Sequence, residues 1–194
     1  MSRQIILASR SPRRKRLLEQ IGLKFEIRES EYKEDMTAKN DPYELAKFLA
    51  LGKAQDVARH YDDAIVIGAD TFTIFEGQHV GKPKDAEDAK RILKNFSGRS
   101  HEVVTGFAVV DTKSGEVING YGKAESFFRE LTDEEIDAYV ATGEPLGMAG
   151  GYGFMDKGSV LMSEVKGDFY SIIGLPIGQV YLALKKMGVK FWEE

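Results

Sequence analysis

The sequence predicts an α/β fold, built as one domain over residues 1–194 with either a single core or two lobes sharing a sheet, and three observations carry that reading. Residues 4–8 (QIILA) form a short apolar run followed at once by Ser11-Pro12, an N-cap and a proline at the first helical position. Residues 64–69 (AIVIGA) are continuously apolar and end at Gly68-Ala69-Asp70, the pattern of a strand buried on both faces. In the second half, residues 101–111 and 117–129 alternate with β-branched and aromatic side chains around the turn Lys113-Ser114-Gly115, so a long antiparallel pair is expected.

The remaining elements follow in order. Ser11-Pro12 opens a helix over residues 12–22, with Leu17, Leu18 and Ile21 inward. Its first turn holds Arg13, Arg14 and Arg16, which oppose the positive helix end by roughly 0.3–1 kcal/mol each. An anion bound there would reverse that sign. Residues 42–60 read as an amphipathic helix with Leu45, Phe48, Leu49 and Ala54 at helical spacing. Phe72 to Phe75 and Val80 flank a hairpin turn at Glu76-Gly77-Gln78, and Asp85 caps a helix reaching Phe96. Thr132-Asp133-Glu134-Glu135 is a capping-box start for a helix that stops at Gly143. Residues 147–153 (GMAGGYG) are a glycine-rich loop able to bring backbone close to a ligand. A strand pair around Gly167-Asp168 and a helix over 176–188 complete the chain.

Composition removes several function classes. The 194 residues are 42% hydrophobic, enough for a substantial core, yet no apolar stretch nears the roughly 20 residues of a membrane span. Residues 1–8 do not read as a signal peptide, and there is no cysteine for a disulfide, a thiol nucleophile or a Cys-ligated zinc. A cytoplasmic protein is the expectation. The net charge of -4 lacks the basic excess of a phosphate-backbone binder, and the basic block Arg10 to Arg16 has no interleaved aromatics, so nucleic acid is not an expected partner.

Several side chains could do chemistry. A carboxylate at Asp70, read as lying at the carboxyl end of a buried strand and next to Thr71, can hold a cation or take a proton from water; it can equally cap a turn. Glu31 and Glu34 could present two carboxylates to a metal, or be surface charges. Gly81-Lys82-Pro83 fixes a lysine between a permissive and a rigid residue, which suits a point charge aimed at phosphate. Lys53 is a second isolated lysine. Ser9 and Ser11 sit in the first strand-to-helix loop without a nearby histidine or a G-x-S-x-G elbow, so a binding role is preferred over a nucleophilic one. That loop lacks the glycines of a Walker A or dinucleotide fingerprint, so phosphate affinity there must come from arginine forks and helix N–H groups.

Taken together, six blocks resemble the Maf family of nucleotide pyrophosphatases, also called septum-formation inhibitor proteins. They are Leu7-Ala8-Ser9-Arg10-Ser11-Pro12-Arg13-Arg14, Gly68-Ala69-Asp70-Thr71, Gly81-Lys82-Pro83, Ser97-Gly98-Arg99-Ser100-His101, Ala149-Gly150-Gly151-Tyr152-Gly153 and Gly174-Leu175-Pro176, in the family's order across nearly the whole chain. The resemblance implies a two-lobed mixed-sheet fold related to inosine triphosphate pyrophosphatases, with a nucleotide cleft between the lobes. It also implies a magnesium or manganese ion, a homodimer, and cleavage of a nucleoside triphosphate to the monophosphate and pyrophosphate.

Carried over by position, Asp70, Lys53 and Lys82 are implied as catalytic, and Glu31, Glu34 and Asp70 as metal-holding. Ser9, Ser11, Arg13, Arg14, Thr71 and Met155 are implied as substrate-binding. Arg13 and Thr71 match the branch acting on dTTP and UTP, where a 7-methyl-GTP branch carries other residues. Met155 and Met148 depart from that branch, which has glutamine and lysine there, and Lys33 replaces a common acidic residue. A thioether packs against a base but cannot pair with its carbonyl and N–H as an amide does, so a broader base range stays open. A non-catalytic, nucleotide-sensing regulator of cell division is the alternative class.

Overall fold

The computed structural model describes residues 3–192. In chain order the elements are β1 (Gln4–Leu7), α1 (Pro12–Gln20), β2 (Glu26–Ile27), α2 (Pro42–Ala58), β3 (Ala64–Phe75), β4 (Gln78–Val80) and α3 (Ala86–Phe96). There follow β5 (Ser100–Asp111), β6 (Val117–Phe128), α4 (Asp133–Ala141), β7 (Met162–Gly167), α5 (Phe169–Ile173) and α6 (Ile177–Lys186), with short 3-10 turns between α4 and β7. The strands are ordered β2-β1-β3-β5-β6-β7, with β4 also on β3. Pairing of β1 with β2 and β3 is parallel, whereas β3 with β4 and β6 with β7 is antiparallel, so the sheet is mixed. The chain divides into two compact units, one of Met1–Asp70, Thr105–Gly122 and Gly174–Glu194, the other of Thr71–Val104 and Lys123–Ile173.

Most predicted starts hold because their caps are local chemistry. The Ser11 side chain accepts from the Arg14 N–H at the head of α1, Asp85 caps α3, and at α4 both halves of the Thr132/Glu135 capping box form. Two expectations are corrected. The apolar run at 64–69 does not end a strand, because Thr71 to Phe75 continue it into the β4 hairpin; Asp70 therefore sits inside β3. No strand pair forms around Gly167-Asp168. Instead β7 ends at Gly167, and the Asp168 carboxylate accepts from the Tyr170 N–H and the Ser171 hydroxyl, turning the chain into the short helix α5. The two-residue strand β2 gave no periodic signal.

In the first unit, Ile6, Ala54, Val57, Val66, Ala108 and Val110 pack between α2 and the sheet. The helix lies close because the strands beneath it offer glycine. A Cβ on Gly68 would come within 2.8 Å of the Ala54 backbone nitrogen, and one on Gly106 within 2.6 Å of that of Lys47. At the far edge of this unit Arg3 donates to Asp63 at 2.8 Å and clamps Asp111 with bonds of 2.7 and 2.5 Å. These bonds hold the Asp111 carboxyl well below the usual carboxylate range.

The second unit is built around Phe75, Ile92, Phe96, Phe128, Tyr139 and Tyr152. His101 is buried among them, stacked on Phe96 at 4.1 Å with Nε2 2.7 Å from the Tyr152 hydroxyl, while Nδ1 has no partner. Burial depresses the imidazole to about 3, so the folded protein holds it neutral. Because this folded value lies below the unfolded one, stability is full above the unfolded value and is lost as pH falls from about 6.5 toward 3. The linkage amounts to roughly 2 kcal/mol between pH 7 and 5. Urea unfolding at both pH values should show that loss in the wild-type protein and a smaller one in His101→Phe; equal losses would place the acid sensitivity elsewhere.

Candidate active site

The loop from β1 to α1 is ordered by its own hydroxyls. The Ser9 Oγ accepts from the Ser11 N–H at 3.2 Å and from Arg14 Nη1 at 3.1 Å, and Arg14 Nε donates to the Gly174 carbonyl at 2.8 Å. One half-buried guanidinium thus joins the start of α1 to the segment before α6. Burial lowers its proton affinity, while the charges of Asp70 and Glu34 oppose that and neighbouring Arg13 adds to it. Four of the six residues expected to bind substrate, Ser9, Ser11, Arg13 and Arg14, therefore lie in one electropositive segment at a helix N-terminus.

Beside it, three segments far apart in sequence converge. Lys53 on α2 bridges two carboxylates, donating to Asp70 of β3 and lying 2.7 Å from Glu34. The Glu34 segment is held against α2 by Asp56, whose Oδ2 accepts from the Ser30 hydroxyl at 2.9 Å and from the Glu31 N–H at 2.7 Å. Gly52 in mid-helix leaves room for the Tyr32 ring, since a Cβ there would fall 2.6 Å from its Cε1. Glycine is a poor helix residue, so this one is explained by the close approach it permits.

Asp70 is only 7% exposed, and burial raises its proton affinity; Lys53 and Arg14 pull it down, and Glu34 pushes it up. The Lys53 side chain is 16% exposed and that of Glu34 44%, so the cluster opens to solvent on the Glu34 side. Glu31 is anchored through its backbone next to this cluster, but among the described residues no three His, Asp or Glu side chains gather as a ready metal cage. Two carboxylates converge, not three.

The other candidates lie in the second unit. Thr71 follows Asp70 along β3. Lys82 is exposed between β4 and α3, at the rim of a cavity of about 490 Å³ also lined by His79, Arg91, Asn95 and Arg99. Its backbone is set by the glycine-rich loop, where the Gly150 N–H donates to the Gly81 carbonyl at 3.0 Å. Met155 stands 44% exposed just past that loop, next in sequence to Phe154, whose ring meets Phe169 edge-on at 5.0 Å. Sequence reasoning missed the roles of the Gly174 carbonyl, Tyr32, Gly52 and Asp56. Only the mid-helix glycine offered a signal.

Comparison with known proteins identifies the relatives of the chain. A family model described as Maf-like protein matches residues 4–187. A protein named dTTP/UTP pyrophosphatase from Bacillus cereus (strain AH820) is 46% identical over 96% of this chain and 97% of its own length. One of the same name from Bacillus anthracis (strain CDC 684 / NRRL 3495) gives the same identity and coverage. Among solved structures, a HAM1 protein from Coxiella burnetii aligns over 96% of this chain and all 100% of that one, with a TM-score of 0.51 at 13% identity, a likeness of fold alone. With nearly its whole length matched by the family model and almost half of its residues shared with these relatives, the chain belongs to the Maf family.

Proposed function

We propose that the protein hydrolyses a nucleoside triphosphate of the dTTP or UTP type to the monophosphate and pyrophosphate. The observation that carries this reading is the full-length 46% identity to dTTP/UTP pyrophosphatases, in a chain whose Asp70, Glu34 and Lys53 meet in one partly open cluster.

A triphosphate carries close to four negative charges, which repel an incoming nucleophile. Arg13 and Arg14 at the head of α1, with Lys53, offset that charge, and Lys82 is a further candidate from its place in the Gly81-Lys82-Pro83 segment. Ser9 and Ser11 supply hydroxyls at the same helix end. Asp70, made more basic by burial, orients a water for attack at the α-phosphorus and takes its proton, with pyrophosphate leaving. Thr71 is proposed as a neighbouring substrate contact.

A magnesium or manganese ion fits the donor set, because Asp70 and Glu34 are hard oxygen donors already converging on one cationic group, and such ions are commonly held by one or two carboxylates plus substrate phosphates. Glu34 and Asp70 would hold it, with Glu31 the candidate third acid; bound there it would neutralise phosphate charge and polarise a phosphoryl oxygen.

Base choice is assigned to Met155. A thioether offers no pairing to a pyrimidine edge, so selection rests on packing beside Phe154, and the expected range is broad. The test is a panel of canonical and modified triphosphates, 7-methyl-GTP included, with products identified by chromatography. Monophosphate and pyrophosphate should appear, and Met155→Gln should raise the dTTP and UTP preference over purines by about tenfold. Orthophosphate as the first product, or no turnover with either metal, would reject the reading.

A further inference from the structure

Lys53 does something that a phosphate-binding lysine need not do. Its ammonium is shared between the same two carboxylates, Asp70 and Glu34, to which the proposed function gives the cation. Each carboxylate reaches it from a different element, and the Asp56 contacts and the Tyr32 ring packed on Gly52 hold the Glu34 segment in place for that bridge. The ammonium is a compact point charge on a flexible four-carbon stem, able to leave one partner for another without moving the backbone. Arg14 adds further positive potential nearby, since the charges of Arg14, Asp70 and Glu34 all influence one another.

We propose that Lys53 acts as a built-in competitor for the divalent cation: it occupies the Asp70/Glu34 pair in the resting protein and yields it only when a nucleotide's phosphates offer the ammonium a better anion. The inference rests on the pyrophosphatase reading for the identity of the anion, although not for the competition itself. Its consequence is an order of assembly. A free cation meets a pair of carboxylates whose charge is half neutralised and whose oxygens already accept from Lys53, so it binds poorly alone. A nucleotide draws Lys53 away, freeing the pair at the moment phosphate oxygens can complete the coordination. Cation and nucleotide therefore help each other to bind, and by linkage that help is reciprocal. The arrangement also keeps Asp70 from holding a cation in the absence of substrate.

The test measures binding of Mn2+ alone by the loss of its free-ion paramagnetic resonance signal, in the full chain without nucleotide, with folding of every variant checked by circular dichroism. Wild type should bind weakly. Lys53→Gln should bind Mn2+ at least tenfold more tightly, Lys53→Arg should stay near wild type because it keeps the positive charge, and Lys53→Gln with Asp70→Asn should lose the gain. Repeating the titration with an α,β-methylene triphosphate should show that nucleotide strengthens Mn2+ binding more in wild type than in Lys53→Gln. If Lys53→Gln and a second neutral variant, Lys53→Met, bind Mn2+ no more tightly than wild type, or if the gain survives Asp70→Asn, the competition is refuted. Hydrolysis by wild type is assayed separately, so an inactive protein whose Lys53→Gln variant still gains Mn2+ affinity would refute the activity and leave the competition standing.

Discussion

Asp70→Asn is expected to lower the hydrolytic rate by about 10²–10⁴-fold, the usual cost of removing a positioned general base. The substitution keeps shape and removes charge. It takes away the one buried carboxylate of the cluster and leaves Lys53 with Glu34, so turnover should collapse while the fold persists. The thermal midpoint should hold or rise slightly, because a desolvated carboxylate is replaced by a neutral amide at a site where burial works against the charge. Initial rates and thermal unfolding measured on the same preparation separate the two effects. Activity within twofold of wild type would remove Asp70 from the chemistry.

The second large effect concerns the platform beneath that residue. Gly68→Ala should destabilise the protein by about 3 kcal/mol, the upper range for overpacking, because the new methyl meets helix backbone and no flexible side chain can yield. The Cβ would lie 2.8 Å from the Ala54 nitrogen and closer still to the Ala50 carbonyl. At about 2–4 °C per kcal/mol for a chain of this size, the midpoint should fall by roughly 10 °C. Since α2 carries Lys53, displacing it also loosens the bridge to Asp70, so activity at low temperature should fall together with stability. A variant with wild-type midpoint would mean that α2 stands further from β3 than these contacts place it.

The contrast between these two positions shows what a sequence can and cannot reveal. Caps at Ser11, Asp85 and Thr132 were readable because each acts on an N–H only three residues away. Asp70 was recognisable as a candidate, yet its place inside β3 was not, since Gly68-Ala69 looks like an ending and nothing in the sequence joins the run at 64–69 to the hairpin read at 72–80, which the structure makes one strand. Gly68 reads as the end of a strand and Gly52 as one more helix residue, whereas their function is to let α2 and Tyr32 come close. The meeting of Glu34, Lys53 and Asp70 joins three segments, and no periodicity encodes such a junction. There the resemblance to a family named the residues, and the structure supplied the geometry.

The position of the bond broken tests the proposed hydrolysis most directly. Hydrolysis of dTTP or UTP in water enriched in 18O, with products separated and weighed by mass spectrometry, should place one labelled oxygen in the monophosphate and none in the pyrophosphate, as attack by an Asp70-oriented water at the α-phosphorus requires. Label in pyrophosphate or in orthophosphate would contradict that attack.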